Sequence, residues 1–189
     1  MTFQKHKKDF LKKLDKSKKG AIDKEILPLI NLINKKPNYY TTSSCSGRIV
    51  LLSRKSEKKQ ETRWLFITHK PTNLKEIKSA LKNLPKTAVW FRQEPLILHV
   101  AADSIQNAQK IINIARDIGF KRSGIQSTRK KIMAEIASTE ILDTIIADKG
   151  KLLVNDDYLR ILINEANKKL KRTTKKIKEL YKKIKKFNS

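Results

Sequence analysis

The segment Thr41-Thr42-Ser43-Ser44-Cys45-Ser46-Gly47-Arg48 sets hydroxyls, a thiol, a glycine and a guanidinium between two aromatics, Tyr39-Tyr40, and an apolar run, Ile49-Val50-Leu51-Leu52. So many small polar groups are not there to fill a core. Small side chains let a ligand approach the backbone, and Gly47 can take a positive φ that other residues avoid. Hydroxyls, N–H groups and a guanidinium together suit a carboxylate or a phosphate. The bland alternative is a polar loop between strands with ordinary turn chemistry. Cys45 is a conceivable nucleophile, because a neighbouring Arg favours the thiolate. No acidic residue beside it orients a base, so a small buried cysteine is the simpler reading.

Two histidines are the other candidates for proton chemistry. His69 ends the apolar strand that starts at Trp64, and His99 lies near the end of the strand that starts at Pro95. A neutral imidazole can accept a proton near pH 7. A lone histidine on an apolar strand is also often a satisfied core residue. The segment Arg122-Ser123-Gly124-Ile125 reads as a shorter version of Ser46-Gly47-Arg48-Ile49, and two such turns facing each other suit a polar, basic cleft. The chain has no Gly-x-Gly-x-x-Gly turn after a first strand, no Walker loop, no paired cysteines and no His-Glu-x-x-His. A Rossmann cofactor signature is therefore missing, and no metal is expected.

The formal net charge is +26, from 44 basic and 18 acidic side chains in 189 residues. Self-repulsion on this scale opposes compactness, and a polyanionic partner relieves it. Nucleic acid is the expected partner, through phosphate neutralisation and counterion release. Adaptation to high temperature raises Lys and Glu together, whereas acids are few here. A membrane partner is not expected. No apolar run approaches the roughly 20 residues of a membrane-spanning helix, and no basic amphipathic helix carries an aromatic face. The N-terminus lacks the apolar core of a signal peptide. The single cysteine excludes an internal disulfide and a cysteine-rich zinc site. These features point to a cytoplasmic protein.

The elements that must position these groups follow from periodicity. A helix is expected over 3–16, with Phe3, Phe10, Leu11 and Leu14 on one side, and a break at Ser17–Gly20. Asp23 is the expected cap of a second helix through Ile33, with Pro28 awkward one turn in. Strands 48–53 and 63–69 form an expected antiparallel pair around a charged loop at 54–62. A helix starts at Pro71-Thr72-Asn73, and strands follow at 88–93 and 95–101. Asp103 is the expected cap of a helix that Gly119 stops. Strands 121–127 and 132–137 pair, and Lys149-Gly150 turns the chain toward a long last helix opening at Asn155-Asp156-Asp157. Its apolar stripe runs Tyr158, Leu162, Ala166, Leu170, Thr173, Ile177, Leu180, Ile184, Phe187, and its other faces are nearly all Lys or Arg. The class is α+β and non-Rossmann. Strand–helix–strand units in two halves are expected to form a mixed or antiparallel sheet with helices packed on it. The expectation is a single domain over 1–189, with a basic helix at 153–188 packed on it.

Several ordered blocks carry a more specific signal. Tyr40 to Ile49, Trp64-Leu65-Phe66-Ile67-Thr68-His69-Lys70 and Glu94 to Val100 are followed by Ala108-Gln109, Gly119 to Ile125 and Lys149-Gly150-Lys151-Leu152. With these blocks the chain resembles the tRNA wybutosine-synthesizing protein 3 family over about residues 10 to 170. The resemblance implies an S-adenosylmethionine-dependent methyltransferase acting on N4 of the tricyclic wyosine-type base built from guanosine 37 of phenylalanine tRNA. The polyanionic partner then becomes the tRNA anticodon loop. On that resemblance, Ser43, Ser44, Ser46, Gly47 and Arg48 are the expected cofactor contacts, with a tRNA phosphate as the alternative partner of Arg48. His69 and His99 are the expected proton acceptors. Lys70, Arg122, Ser123, Gly124, Arg129 and Lys149 are the expected contacts to tRNA. The rival reading is a non-catalytic basic RNA-binding protein that grips tRNA backbone.

Overall fold

The computed structural model describes residues 2–12, 22–54 and 62–187. Leu14, the break at Ser17–Gly20 and most of the charged loop at 54–62 lie outside the described residues. The elements run α1 (Phe3–Leu11), α2 (Leu27–Lys35), β1 (Tyr39–Cys45), β2 (Arg48–Arg54), β3 (Thr62–Thr68), α3 (Leu74–Ala80) and β4 (Val89–Glu94). They continue with β5 (Ile97–Ala102), α4 (Ile105–Ile118), β6 (Gly124–Ser127), β7 (Ile132–Ala137), β8 (Leu142–Asp148), β9 (Lys151–Leu152) and α5 (Asp156–Lys186). The strands form two antiparallel sheets, ordered β1-β5-β7-β6 and β3-β2-β4-β8-β9. The expected class and the long last helix are present. The strands are shared out differently: each sheet draws on both halves of the chain, and there are two sheets instead of one.

The chain divides into two compact units, one per sheet. The first holds Met1–Ser46, Leu96–Thr139 and Thr173–Ser189; the second holds Gly47–Pro95 and Glu140–Arg172. Helix α5 therefore belongs to the second unit in its first part and to the first unit from Thr173 onward.

In the first unit, Leu98, Val100, Ala102, Ala134 and Ile136 fill one sheet face. They pack against α2, α4 and the later residues of α5, Ile177, Leu180 and Ile184. Pro28 starts α2 instead of obstructing it. In the first turn its missing N–H forfeits no helical bond. Asp23 does not cap α2 with its side chain. Its backbone carbonyl receives Ile26 and Leu27 N–H, and its carboxylate is turned onto Ser46. Helix α4 is capped by Ser104, whose hydroxyl accepts Asn107 N–H, while the expected cap Asp103 accepts the Asn107 side-chain amide. Gly119 ends α4 in the left-handed region at φ 104°. On the opposite sheet face, Phe3 and Phe10 of α1 pack around Tyr40.

In the second unit, Ile49, Leu51, Val89, Phe91 and Ile146 face α3 and the first part of α5. Asn73 and Glu76 form a reciprocal capping box on α3. Lys149 (φ 51°) and Gly150 (φ 75°) give two consecutive positive-φ residues in the β8–β9 hairpin, matching a tight primed turn. Asn155 caps α5 through its side-chain oxygen. Leu159, Leu162, Ile163, Ala166 and Leu170 form the buried stripe of this part of α5. The expected Tyr158 is 42% exposed, because it stands one residue, about 100°, around the helix from Leu159. Among the described residues, no helix is long and apolar enough to cross a membrane.

Candidate active site

A polar row crosses the sheet of the first unit. A one-residue bulge at Thr42 shifts the β1 register, so that Ser43 and not Thr42 lies opposite His99. His99 in turn lies opposite Glu135, and Glu135 opposite Gly124. Residues directly opposite project from the same face. Ser43 Oγ is 2.7 Å from His99 Nδ1, and His99 Nε2 is 2.8 Å from Glu135 Oε2. An ionised carboxylate can only accept, so Nε2 carries the hydrogen and Nδ1 holds the lone pair. Ser43 then donates its hydroxyl hydrogen to Nδ1. The side chains of His99 and Glu135 are 23% and 31% exposed, and Ser43 is exposed, so a substrate can reach the line. Glu135 was not singled out from the sequence. The signal was there: an acid between buried Ala134 and Ile136 in an otherwise apolar strand.

The second unit holds a different arrangement. His69 Nδ1 lies 2.9 Å from the Gly47 carbonyl oxygen. A carbonyl accepts, so this ring carries a hydrogen on Nδ1. Gly47 has φ 92°, the left-handed conformation that favours glycine. Arg48 contacts Glu94 Oε2 through Nε at 2.6 Å, and its guanidinium sits 4.8 Å above the Trp64 ring. Gln93 is fully buried. Its amide donates to the Glu94 carbonyl, and its Oε1 receives no hydrogen bond.

The remaining predicted residues scatter. Ser44 is half-buried opposite Leu98. Ser46 donates both its N–H and its hydroxyl to the Asp23 carboxylate, at 2.9 and 3.2 Å. Ser123 is buried; its hydroxyl donates to the Phe120 carbonyl and accepts Ala137 N–H, which ties the turn to β7. Gly124 has no positive φ, and a Cβ there would meet nothing. The two glycine turns thus share a spelling and not a conformation. Lys70, Arg122, Arg129 and Lys149 are exposed. Arg129 lines an open hollow of about 380 Å³ with Gln126, Ser127, Lys130, Lys131 and Met133. Cys45 is half-buried at the end of β1, opposite Ile97.

The α+β fold, which has no Gly-rich cofactor turn, falls in a class of methyltransferases. The family model described as Methyltransferase TYW3 matches residues 5–186, and the chain belongs to that family. A Pyrococcus abyssi relative named "tRNA(Phe) 7-((3-amino-3-carboxypropyl)-4-demethylwyosine(37)-N(4))-methyltransferase 1" is 38% identical over 173 residues, 90% of this chain and 89% of that protein. A Homo sapiens relative, "tRNA wybutosine-synthesizing protein 3 homolog", is 38% identical over 178 residues, 92% of this chain and 68% of that protein. The solved structure of the PH1069 protein from Pyrococcus horikoshii superposes with a TM-score of 0.90 at 37% identity, covering 97% of this chain and 96% of that one.

Proposed function

We propose that this protein is a tRNA methyltransferase of wybutosine biosynthesis. It transfers a methyl group from S-adenosylmethionine to N4 of the wyosine-type base at position 37 of phenylalanine tRNA, as the name of the Pyrococcus abyssi relative describes for that protein. The anticodon loop is the partner and the cytoplasm the compartment. The observation that carries the reading is the Ser43–His99–Glu135 line. A ring nitrogen that gains a methyl group must lose its proton. Ser43 Oγ takes that proton from N4 as its own passes to His99 Nδ1, and Glu135 stabilises the resulting imidazolium. His69 serves instead to pin the Gly47 carbonyl.

Bound S-adenosylmethionine supplies an electrophilic methyl group for in-line displacement, so alignment provides much of the rate. The residues fit such a cofactor. Arg48 engages Glu94 through Nε alone, and its terminal nitrogens suit the carboxylate. Ser43 and Ser44 offer hydroxyls in the first unit. Ser46, committed to Asp23, and Gly47, with its positive φ, shape the backbone of the same segment. Lys70, Arg122, Arg129 and Lys149 are the proposed phosphate contacts, with Ser123 and Gly124 forming the turn that presents Arg122. The basic faces of α5 add charge. The activity is assigned to the whole chain, 1–189, rather than to either unit.

The test is transfer of labelled methyl from S-adenosylmethionine to phenylalanine tRNA carrying the unmethylated tricyclic precursor, with unmodified tRNA as control. Label on the precursor tRNA alone is expected. No label on either, with salt-sensitive tRNA binding intact, would return the protein to the class of backbone-gripping RNA binders.

A further inference from the structure

The sheet of the second unit has two unlike faces. One is the aliphatic face packed by α3 and α5. On the other, Leu52 lies opposite Trp64 on one side and Trp90 on the other, and Trp90 lies opposite Ile145. Opposite residues share a face, so Trp64, Leu52, Trp90 and Ile145 form one row across four strands. Arg48, Val50, Leu52 and Arg54 alternate onto that same face of β2, and Arg92 does so on β4. Among the described residues of this unit, no helix packs on it. Both tryptophans are half-buried, and Ile145 is 41% exposed. Val50 and Leu52 are buried.

We propose that this face is a stacking platform for the unpaired bases of a single-stranded RNA segment. Two large aromatic rings in one row offer π-faces at a spacing set by the strands, and base–aromatic stacking tolerates any base. The Arg48 guanidinium, 4.8 Å from the Trp64 ring centroid, presents a second planar surface to a base. Three arginines stand on the face against two acids, Glu94 and Asp143, which hold Arg48 and Arg92 in place. The surplus is positive, and so is the whole chain at +26. An apolar partner protein would find these arginines to be an obstacle; a polyanion with flat bases meets both features. The inference rests on the tRNA reading for its natural ligand, where an anticodon loop supplies unstacked bases.

The chain contains two tryptophans, and both lie in this row, so fluorescence excited selectively in tryptophan reports on the platform alone. The full chain is titrated with oligoadenylate at several salt concentrations. Saturable quenching is expected. Trp90→Ala should weaken binding about tenfold, within the ~5–150-fold range for a lost stack, and leave the salt slope unchanged. Trp90→Phe should restore most of the affinity. Ile145→Glu, at an exposed position, should weaken binding without altering the fold. Binding with no quenching and with wild-type affinity in Trp90→Ala would overturn the platform and leave the lysines to hold RNA. Concentration-dependent self-association abolished by Ile145→Glu would overturn it in favour of a second copy. Methyl transfer to precursor tRNA is measured on the same preparation. Transfer without quenching refutes the platform only; quenching without transfer supports the platform and refutes the enzyme reading.

Discussion

Each sheet buries aliphatic side chains on one face and carries something else on the other. In the first unit that other face bears Ser43, His99 and Glu135, joined by two hydrogen bonds. In the second it bears Trp64, Trp90 and three arginines. The strand period of two makes such division possible, since alternate residues are released from core packing. What differs is the chemistry placed on the released positions. Small hydrogen-bonding groups can move a proton. Flat, polarisable groups can hold a base and cannot take its proton. Turnover and RNA affinity should therefore be separable by mutation, through His99 in one row and Trp90 in the other.

The largest expected effect breaks the polar row. His99→Ala should lower kcat about 10²–10⁴-fold, the usual contribution of a general base, while tRNA affinity stays unchanged. His69→Ala, which loses the hydrogen bond to the Gly47 carbonyl, should cost less than His99→Ala. Glu135 then sharpens the assignment as a positioning residue. Glu135→Gln keeps an acceptor for Nε2–H and should lose only a few-fold in kcat, whereas Glu135→Leu should approach the His99→Ala value. Single-turnover transfer kinetics measure all four. Equal rates for the Gln and Leu variants would mean that Glu135 does not hold the tautomer.

Next in size is the contrast between the two glycine turns. Gly47→Ala forces an L side chain to φ 92° and should cost about 1–2 kcal/mol of stability. Gly124→Ala has open space and no positive φ, so its change should stay within about 0.5 kcal/mol. Chemical denaturation of the two variants decides this.

The narrowest effect is a pH dependence confined to the first unit. Tyr39 is buried and donates to the Asn107 carbonyl. Burial, with a further contribution from Asp103, pushes its hydroxyl up to about 12 from 10.0. The native protein keeps a proton that the unfolded chain releases, so stability is full below pH 10 and is lost toward about 12. Tyr39→Phe should show a shallower alkaline decline in urea midpoint than the wild type, over that window alone.

Much of the fold was legible because the helices repeat at 3.6 residues and end at glycine, proline or a capping side chain. The errors have local causes. Asp103 and Ser104 are adjacent and equally good caps, and no pattern separates them. Pro28 reads as a breaker until the helix is known to start beside it. The site was less legible. His99 and Ser43 stood out by type, yet their pairing depends on a bulge at Thr42 that no residue announces. The tryptophan face was hidden because Ile49-Val50-Leu51-Leu52 and Trp64-Leu65-Phe66-Ile67 are apolar at every position. An uninterrupted apolar strand has no period to say which residues turn outward.

Helix α5 has a consequence for how the protein is made. Leu159, Leu162, Ile163, Ala166 and Leu170 complete the core of the second unit, and Ile177, Leu180 and Ile184 complete that of the first. A ribosome delivers the chain from its N-terminus, at about 5–20 residues per second. Every strand of both sheets is therefore synthesised before the helix that closes either core. Neither unit has its full set of core residues until α5 has emerged, so final consolidation of both waits for that helix.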